Sequence, residues 1–267
     1  RKLKVTQTGL KRLNKEFINS GFAFFSTPDV IKTIQLLPGV ASGTELMSGL
    51  YVHGGDGSDN LFLLDGVPIY QVSHLGGLFS SFNTDVIENI DFYKSGFPAR
   101  FGGKMSSVVD ITTRDGDFYD YHGTFAIGLI DGHLQFEGPI VKGKTSFNVG
   151  LRRTWIETIS EPILYFFNKE NQPDKLTLGY SFSDLNAKVT HKFSPKNVLR
   201  GSFYMGRDVF RYKQYNFSEY YQVGEDGVAE IHRQQENDVG IPMNWGNTLG
   251  SLDWKWDISD QLSMNVA

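Results

Sequence analysis

The 267-residue chain contains no cysteine. That excludes a disulfide scaffold, a thiolate nucleophile and cysteine-ligated zinc. No window approaches the 18 or so consecutive apolar residues that a membrane-spanning helix needs. Outer-membrane barrels cross with short alternating strands, so this absence leaves them open. Basic charge is not in excess: 26 Lys and Arg stand against 30 Asp and Glu, a formal net charge of −4. The electrostatic footprint of a nucleic-acid binder is therefore missing. Neither a P-loop spacing nor a dinucleotide fingerprint occurs, nor a nucleophile elbow, a zinc-helix motif or a catalytic carboxylate pair. Asp56 and Asp59 sit in a glycine loop but fall short of the six to eight oxygens that calcium prefers. An enzyme, a metal site and a cofactor are not expected. Aromatic residues are plentiful, with 21 Phe and 12 Tyr, as interfacial girdles on a bilayer-facing barrel require.

The N-terminal part is dense in turns. Ser26-Thr27-Pro28-Asp29 carries an N-cap hydroxyl, a first-turn proline and an acid for the positive end of the helix dipole. Val30, Ile34 and Leu37 follow at helical spacing, and Pro38-Gly39 ends the helix. Leu50–Val52 and Leu61–Leu64 are short apolar runs bounded by glycines and by Asp65-Gly66, a strand–turn–strand pattern. Asn83-Thr84-Asp85 can cap a short helical turn, and Ile90–Tyr93 and Val108–Thr112 read as further strands. The result is a small mixed sheet with two helices.

From Tyr121 onward the apolar period becomes two. Phe125, Ile127 and Leu129 carry one face; the parity flips at Asp131-Gly132, a two-residue hairpin signal. Phe147, Val149, Leu151 and Trp155 then oppose Ser146, Asn148, Gly150, Arg152 and Thr154. The same alternation sets Leu185 and Val189 against Asp184, Asn186 and Lys188, and Phe203 and Met205 against Arg200, Ser202 and Tyr204. Leu252, Trp254 and Trp256 oppose Asp253 and Lys255. A polar face backing an aromatic one fits a barrel with a wet lumen in lipid, although a soluble sandwich would bury the apolar face equally well. Turns at 141–144, 194–197 and 259–261 are short, while the connections at 159–178 and 211–246 are long. That alternation matches periplasmic turns and extracellular loops. Seven strands are started. Seven cannot close such a barrel, and open edges are not tolerated in hydrocarbon, so the chain reads as part of a longer protein.

Residues 38–115 carry a more specific signal. Pro38-Gly39-Val40 is followed by Gly49-Leu50-Tyr51-Val52-His53-Gly54-Gly55 and Leu63-Leu64-Asp65-Gly66-Val67-Pro68. Ile87-Glu88-Asn89-Ile90-Asp91-Phe92-Tyr93-Lys94, Pro98-Ala99-Arg100-Phe101-Gly102-Gly103 and Val108-Val109-Asp110-Ile111 complete the series. This order resembles the plug domain of TonB-dependent outer-membrane receptors. The segment Tyr93–Gly103 resembles the branch whose members often carry a carboxypeptidase-like regulatory domain.

The resemblance implies an α+β plug over residues 1–117, followed over 118–267 by about seven antiparallel strands of a transmembrane β-barrel, incomplete in this chain. It implies energy-coupled import of a scarce solute, such as a siderophore, cobalamin, a peptide or a metal complex, across the outer membrane of a Gram-negative bacterium. The alternative is an outer-membrane scaffold in a surface or secretion complex. Implied partners are TonB with its inner-membrane energising complex, a small-molecule or peptide ligand, a surface lipoprotein and outer-membrane lipid. Arg100 falls in a motif whose arginine reaches carboxylates of the inner wall, with the partner expected beyond Ala267. His53 stands where relatives often place arginine, which suggests weaker or pH-sensitive docking. Tyr70 and His74 fall in loops near the apex, where an aromatic and a histidine could touch substrate.

Overall fold

The structure, a computed structural model, describes residues 9–21, 23–24, 27–41, 50–52, 59–98, 101, 106–170, 175–223, 229–259 and 261–267. The first sheet is small and mixed. It comprises β1 (Leu10–Asn14), β2 (Asn60–Leu64), β3 (Val67–Pro68), β4 (Ile87–Tyr93) and β5 (Ser107–Thr113), in the order β1-β4-β5-β2-β3. β5 runs parallel to β2, and the other pairs are antiparallel. Helices α1 (Lys15–Asn19) and α2 (Val30–Gln35) cover it, and Leu13, Ile31, Ile34, Ile90, Phe92 and Ile111 form its centre.

The turn chemistry explains the local geometry. Leu64 pairs with Val67, so Asp65-Gly66 is a two-residue hairpin loop. Their φ values of +47° and +83° are those a type I′ turn demands, which Asp-Gly satisfies. Asn83 accepts a hydrogen bond from Asp85 N and so caps the 3-10 turn Thr84–Val86. The start of α2 differs from the sequence expectation. Asp29 is the N-cap, its carboxylate accepting from Lys32 N at 3.0 Å, and Thr27–Pro28 is extended. The acid takes the capping role because its second oxygen also accepts from Ser80 N at 2.7 Å, a tertiary bond that sequence alone does not reveal.

The second sheet has seven strands hydrogen-bonded in chain order: β6 (His122–Ile127), β7 (Asp131–Val141), β8 (Thr145–Thr154), β9 (Lys175–Ser194), β10 (Asn197–Val223), β11 (Ala229–Asp257) and β12 (Ser263–Val266). Pairs β6–β7, β8–β9 and β11–β12 are antiparallel. The turn at 141–144 forms as expected, with Lys144 N bonded to Val141 O and Gly143 at φ +73°. The first hairpin corrects the expectation. Ile127 pairs with Gly132, so Asp131-Gly132 already lies in the strand and the turn precedes it. Gly128 N donates to Asp131 O at 2.7 Å, so the two-residue turn is 129–130, just before the local Asp-Gly signal.

The second correction concerns the long connections. Residues 211–246 were expected as a loop, yet β10 and β11 extend through most of that stretch. Residues 159–178 contain most of α3 (Ile156–Glu170) and the start of β9. Pro162 inside α3 removes a helical hydrogen bond, which is why the helix was not read from sequence. Further along, Asn168 bonds both N and O of Leu176 and so ties α3 to the start of β9.

The chain forms two compact units: 1–153 with 183–206 and 246–267, and 154–182 with 207–245. In the first, the large sheet is built inside out. Ser146, Asn148, Arg152 and Thr190 are buried, while Phe125, Leu151 and Leu252 are 70%, 45% and 62% exposed. A sandwich would show the reverse. An apolar outer face belongs to a sheet solvated by lipid. In the second unit, Tyr180 bonds Asp208, and Tyr180 lies 6.5 Å from Trp245.

Candidate functional site

Within the first unit, the small sheet and its loops dock against the polar face of the large one through two clusters. The first centres on Asp184. Register places Asp184 opposite Arg152. Arg152 Nε and Nη2 donate to Asp184 Oδ2 at 3.0 and 2.7 Å. Asp184 Oδ1 accepts from Tyr204 Oη at 2.9 Å and lies 3.0 Å from His74 Nε2. Against an ionised carboxylate, that nitrogen carries the proton. Arg152 Nη2 also donates to Ser80 O at 2.6 Å, while Ser80 N is held by Asp29. One residue of the ribbon Ser73–His74/Phe79–Ser80 is thus gripped on both backbone groups. The side chains of Arg152, Asp184 and His74 are 3%, 0% and 2% exposed.

The second cluster gathers at Asp65. Its carboxylate accepts from Thr113 N at 3.0 Å, Thr113 Oγ1 at 2.5 Å and Lys188 Nζ at 3.1 Å. Lys188 Nζ donates further to Thr113 O at 2.8 Å. Asp115 accepts from Arg200 Nε at 2.9 Å, Arg200 Nη2 at 3.1 Å and Thr190 Oγ1 at 3.0 Å. Arg114 Nη1 donates to Glu137 Oε1 at 2.9 Å. Gly150 permits the close approach, because a Cβ there would lie 2.4 Å from Val86 Cγ1. Beside this cluster lies a cavity of about 1050 Å³, lined in part by Asp65, Glu88, Asp110, Lys188 and Arg200.

The seam can hold a folded domain on a polar wall without bond chemistry. Each buried ion is paired and hydrogen-bonded, which low-dielectric burial requires. Most cations come from the wall (Arg152, Lys188, Arg200), and their acceptors are Asp65, Asp115 and a backbone carbonyl of the docked layer.

Residues 24–109 match the family model described as the TonB-dependent Receptor Plug Domain. This part of the chain is a TonB-dependent receptor plug. The fold of the whole chain is similar to that of the siderophore receptor PirA from Pseudomonas aeruginosa, with a TM-score of 0.52 at 15% identity over 97% of this chain and 46% of that one. PirA from Acinetobacter baumannii is similar at a TM-score of 0.50 and 13% identity, over 94% and 46% of the two chains. The outer membrane transporter YddB from Escherichia coli gives 0.50 and 11%, over 93% and 45%. The chain spans a little under half the length of these structures. No curated protein matches it in sequence. The plug, followed by a sheet like part of a receptor barrel, makes this an outer-membrane protein of a Gram-negative bacterium.

Of the plug residues singled out in sequence, Arg100 and His53 lie outside the described residues. Tyr70 is 87% exposed. His74 is buried against wall Asp184, and nothing places it beside Tyr70 in one surface. Sequence reasoning missed Asp65, Asp115 and their wall partners as docking residues. The available signal was the polar parity of Arg152, Asp184, Lys188 and Arg200, which gives their face but not their partners.

Asp115 should make plug docking pH-dependent. Burial alone would raise its pKa, but the hydrogen bond and charge of Arg200, the charge of Lys188 and the bond from Thr190 overcome this. They hold it below the ordinary value of 3.8. A depressed carboxylate contributes stability that is fully present above its unfolded pKa and lost as pH falls through the folded one. Protease protection of the plug in the full-length protein should therefore hold at neutral pH and decline below about pH 4. Asp115→Asn should flatten that acid limb. An unaltered limb in the variant would remove Asp115 from the explanation.

Proposed function

We propose that this chain is the plug-bearing part of an energy-coupled importer. The plug closes the lumen, and TonB, driven by its inner-membrane energising complex, rearranges it so that a scarce solute passes. The division into a plug over 1–117 and barrel strands over 118–267 belongs to this reading. The observation that carries it is a plug docked by buried, paired charges on the polar face of a sheet whose other face is apolar. Such an interface is specific enough to seat one orientation, yet its bonds can be exchanged with water. The cargo class is an organic or metal-chelate solute such as a siderophore, cobalamin or a peptide; structural relatives include the siderophore receptor PirA. A surface lipoprotein is a candidate partner at the outer face.

The test uses the full-length protein in its native outer membrane. Uptake of a labelled ferric siderophore, cyanocobalamin and a labelled peptide mixture is compared with the gene present or deleted, and with TonB present or depleted. Accumulation of one probe should require both. If deletion changes no uptake, and the purified protein ignores the periplasmic domain of TonB while holding a secretion or surface complex, the scaffold replaces the importer.

A further inference from the structure

Helix α3 leaves its apolar stripe uncovered. Ile159, Ile163, Phe166 and Phe167 recur at i, i+4, i+7 and i+8, the spacing that gathers side chains on one side of a helix. In a globular protein such a stripe faces the core. Here Ile163, Phe166 and Phe167 are 64%, 66% and 53% exposed. Tyr165, also exposed, meets the Phe166 ring edge-on at 5.7 Å.

A different flank ties the helix down within the second unit. Ser160 Oγ donates to Leu178 O at 2.9 Å. Asn168 Nδ2 donates to Leu176 O at 2.8 Å, and its Oδ1 accepts from Leu176 N at 2.7 Å. Glu157 Cβ lies 3.7 Å from where a Cβ on Gly179 would stand. Positions 157, 160 and 168 share one flank at 3.6 residues per turn, so α3 runs beside β9 with its rotation fixed. The stripe cannot turn toward the sheet without breaking these bonds. Glu161 and Lys169, both exposed, fall on the side opposite the stripe.

We propose that the stripe of α3 enters the acyl-chain region of the outer membrane, with the helix axis lying in the bilayer plane. Large apolar side chains exposed together mark a contact with a membrane or with another protein. The membrane is favoured by the chain path, because Trp155 alone separates α3 from β8, a strand of the lipid-solvated sheet. Chain reach, at about 3.5 Å per residue, keeps the first helical turn near the bilayer surface. It is also favoured by residue type. Trp155, Tyr165 and two phenylalanines are the side chains that settle at membrane interfaces, and the charged side faces away from them. Lys169 is the only basic residue of the helix, so the attraction is apolar and needs no anionic headgroup. The placement depends on outer-membrane location, not on what is imported.

Spin labelling of the full-length protein in phosphatidylcholine vesicles, with and without phosphatidylglycerol, tests it. Labels are attached one at a time through Glu161→Cys, Ile163→Cys, Phe166→Cys and Lys169→Cys. Oxygen, which concentrates among acyl chains, should relax the labels at 163 and 166 more than a water-soluble nickel chelate does. The order should reverse at 161 and 169, and both lipid mixtures should give the same pattern. Nickel access at 163 and 166 equal to that at 161 and 169 would put the stripe in water and overturn the proposal. Exclusion of both reagents at 163 and 166 would assign the stripe to a protein partner and overturn it as well. A pattern seen only with phosphatidylglycerol would overturn the apolar attraction. Heat-modifiable gel migration shows that each labelled variant folds, and solute uptake separates these outcomes from the importer reading.

Discussion

Asp184→Asn should loosen the plug from the wall by about 3–5 kcal/mol, the typical consequence of removing one member of a desolvated ion pair. Asp184 is fully buried and receives Arg152 twice, Tyr204 once and the contact from His74. The amide keeps the shape but has one acceptor oxygen, so Arg152 is left as a buried cation with inadequate compensation. Ser80 O still accepts from it, and a carbonyl dipole cannot replace a carboxylate. In the full-length protein, the plug should be cleaved much faster by added protease while the barrel remains intact. Arg152→Met/Asp184→Leu provides the stricter check. Replacing both ions with apolar groups of similar volume is often neutral or better, so much of the protection should return. If the single variant leaves cleavage unchanged, the pair does not anchor the plug. If the double variant is as fragile as the single, the cost lies in lost packing rather than in stranded charge.

This anchor shows where sequence stops being informative. The alternation of Phe147, Val149 and Leu151 with Asn148, Gly150 and Arg152 disclosed which side chains face inward, because a strand has a strict period of two. The burial follows that parity, with the polar residues buried and the apolar ones half-buried or exposed. The Asp65-Gly66 hairpin was legible because its φ values follow from two adjacent residues. The partners were not. Asp184 and His74 are 110 positions apart, and Lys188 and Asp65 are 123 apart. Nothing in a local pattern selects one carboxylate over another at such separations. The expectation that a plug arginine reaches the wall drew attention to Arg100, which lies outside the described residues; among those described, Arg114 reaches wall Glu137, and wall cations grip plug acceptors. The extensions of β10 and β11 escaped for a related reason. Within 211–246, polar and aromatic residues occupy both faces, so no amphipathic period distinguishes a strand in water from a loop.

Asp65 should be the second most sensitive position, and three of its variants separate the reasons. Asp65→Ala removes the acceptor for Thr113 N, Thr113 Oγ1 and Lys188 Nζ together. It also places a residue without a local polar side chain at φ +47°, which costs about 1–2 kcal/mol in the left-handed region. Stranding a buried donor adds about 1–3 kcal/mol, for a total near 3 kcal/mol. The effect falls short of Asp184→Asn because Lys188 keeps Thr113 O at 2.8 Å and Asp115 at 3.7 Å. Asp65→Asn tolerates the same φ and can still accept from Thr113, so it should lose only the ionic part, about 1–2 kcal/mol. Asp65→Gly relieves the backbone but keeps no acceptor, and should fall between the two. Thermal unfolding of the full-length protein, followed by plug-specific hydrogen exchange at β5, reads the order. Equal protection in the Gly variant and the wild type would assign the effect to backbone strain and remove Lys188 from plug docking. The predicted order, with Asn mildest and Ala most severe, makes one carboxylate both the closure of a plug hairpin and its attachment to the wall.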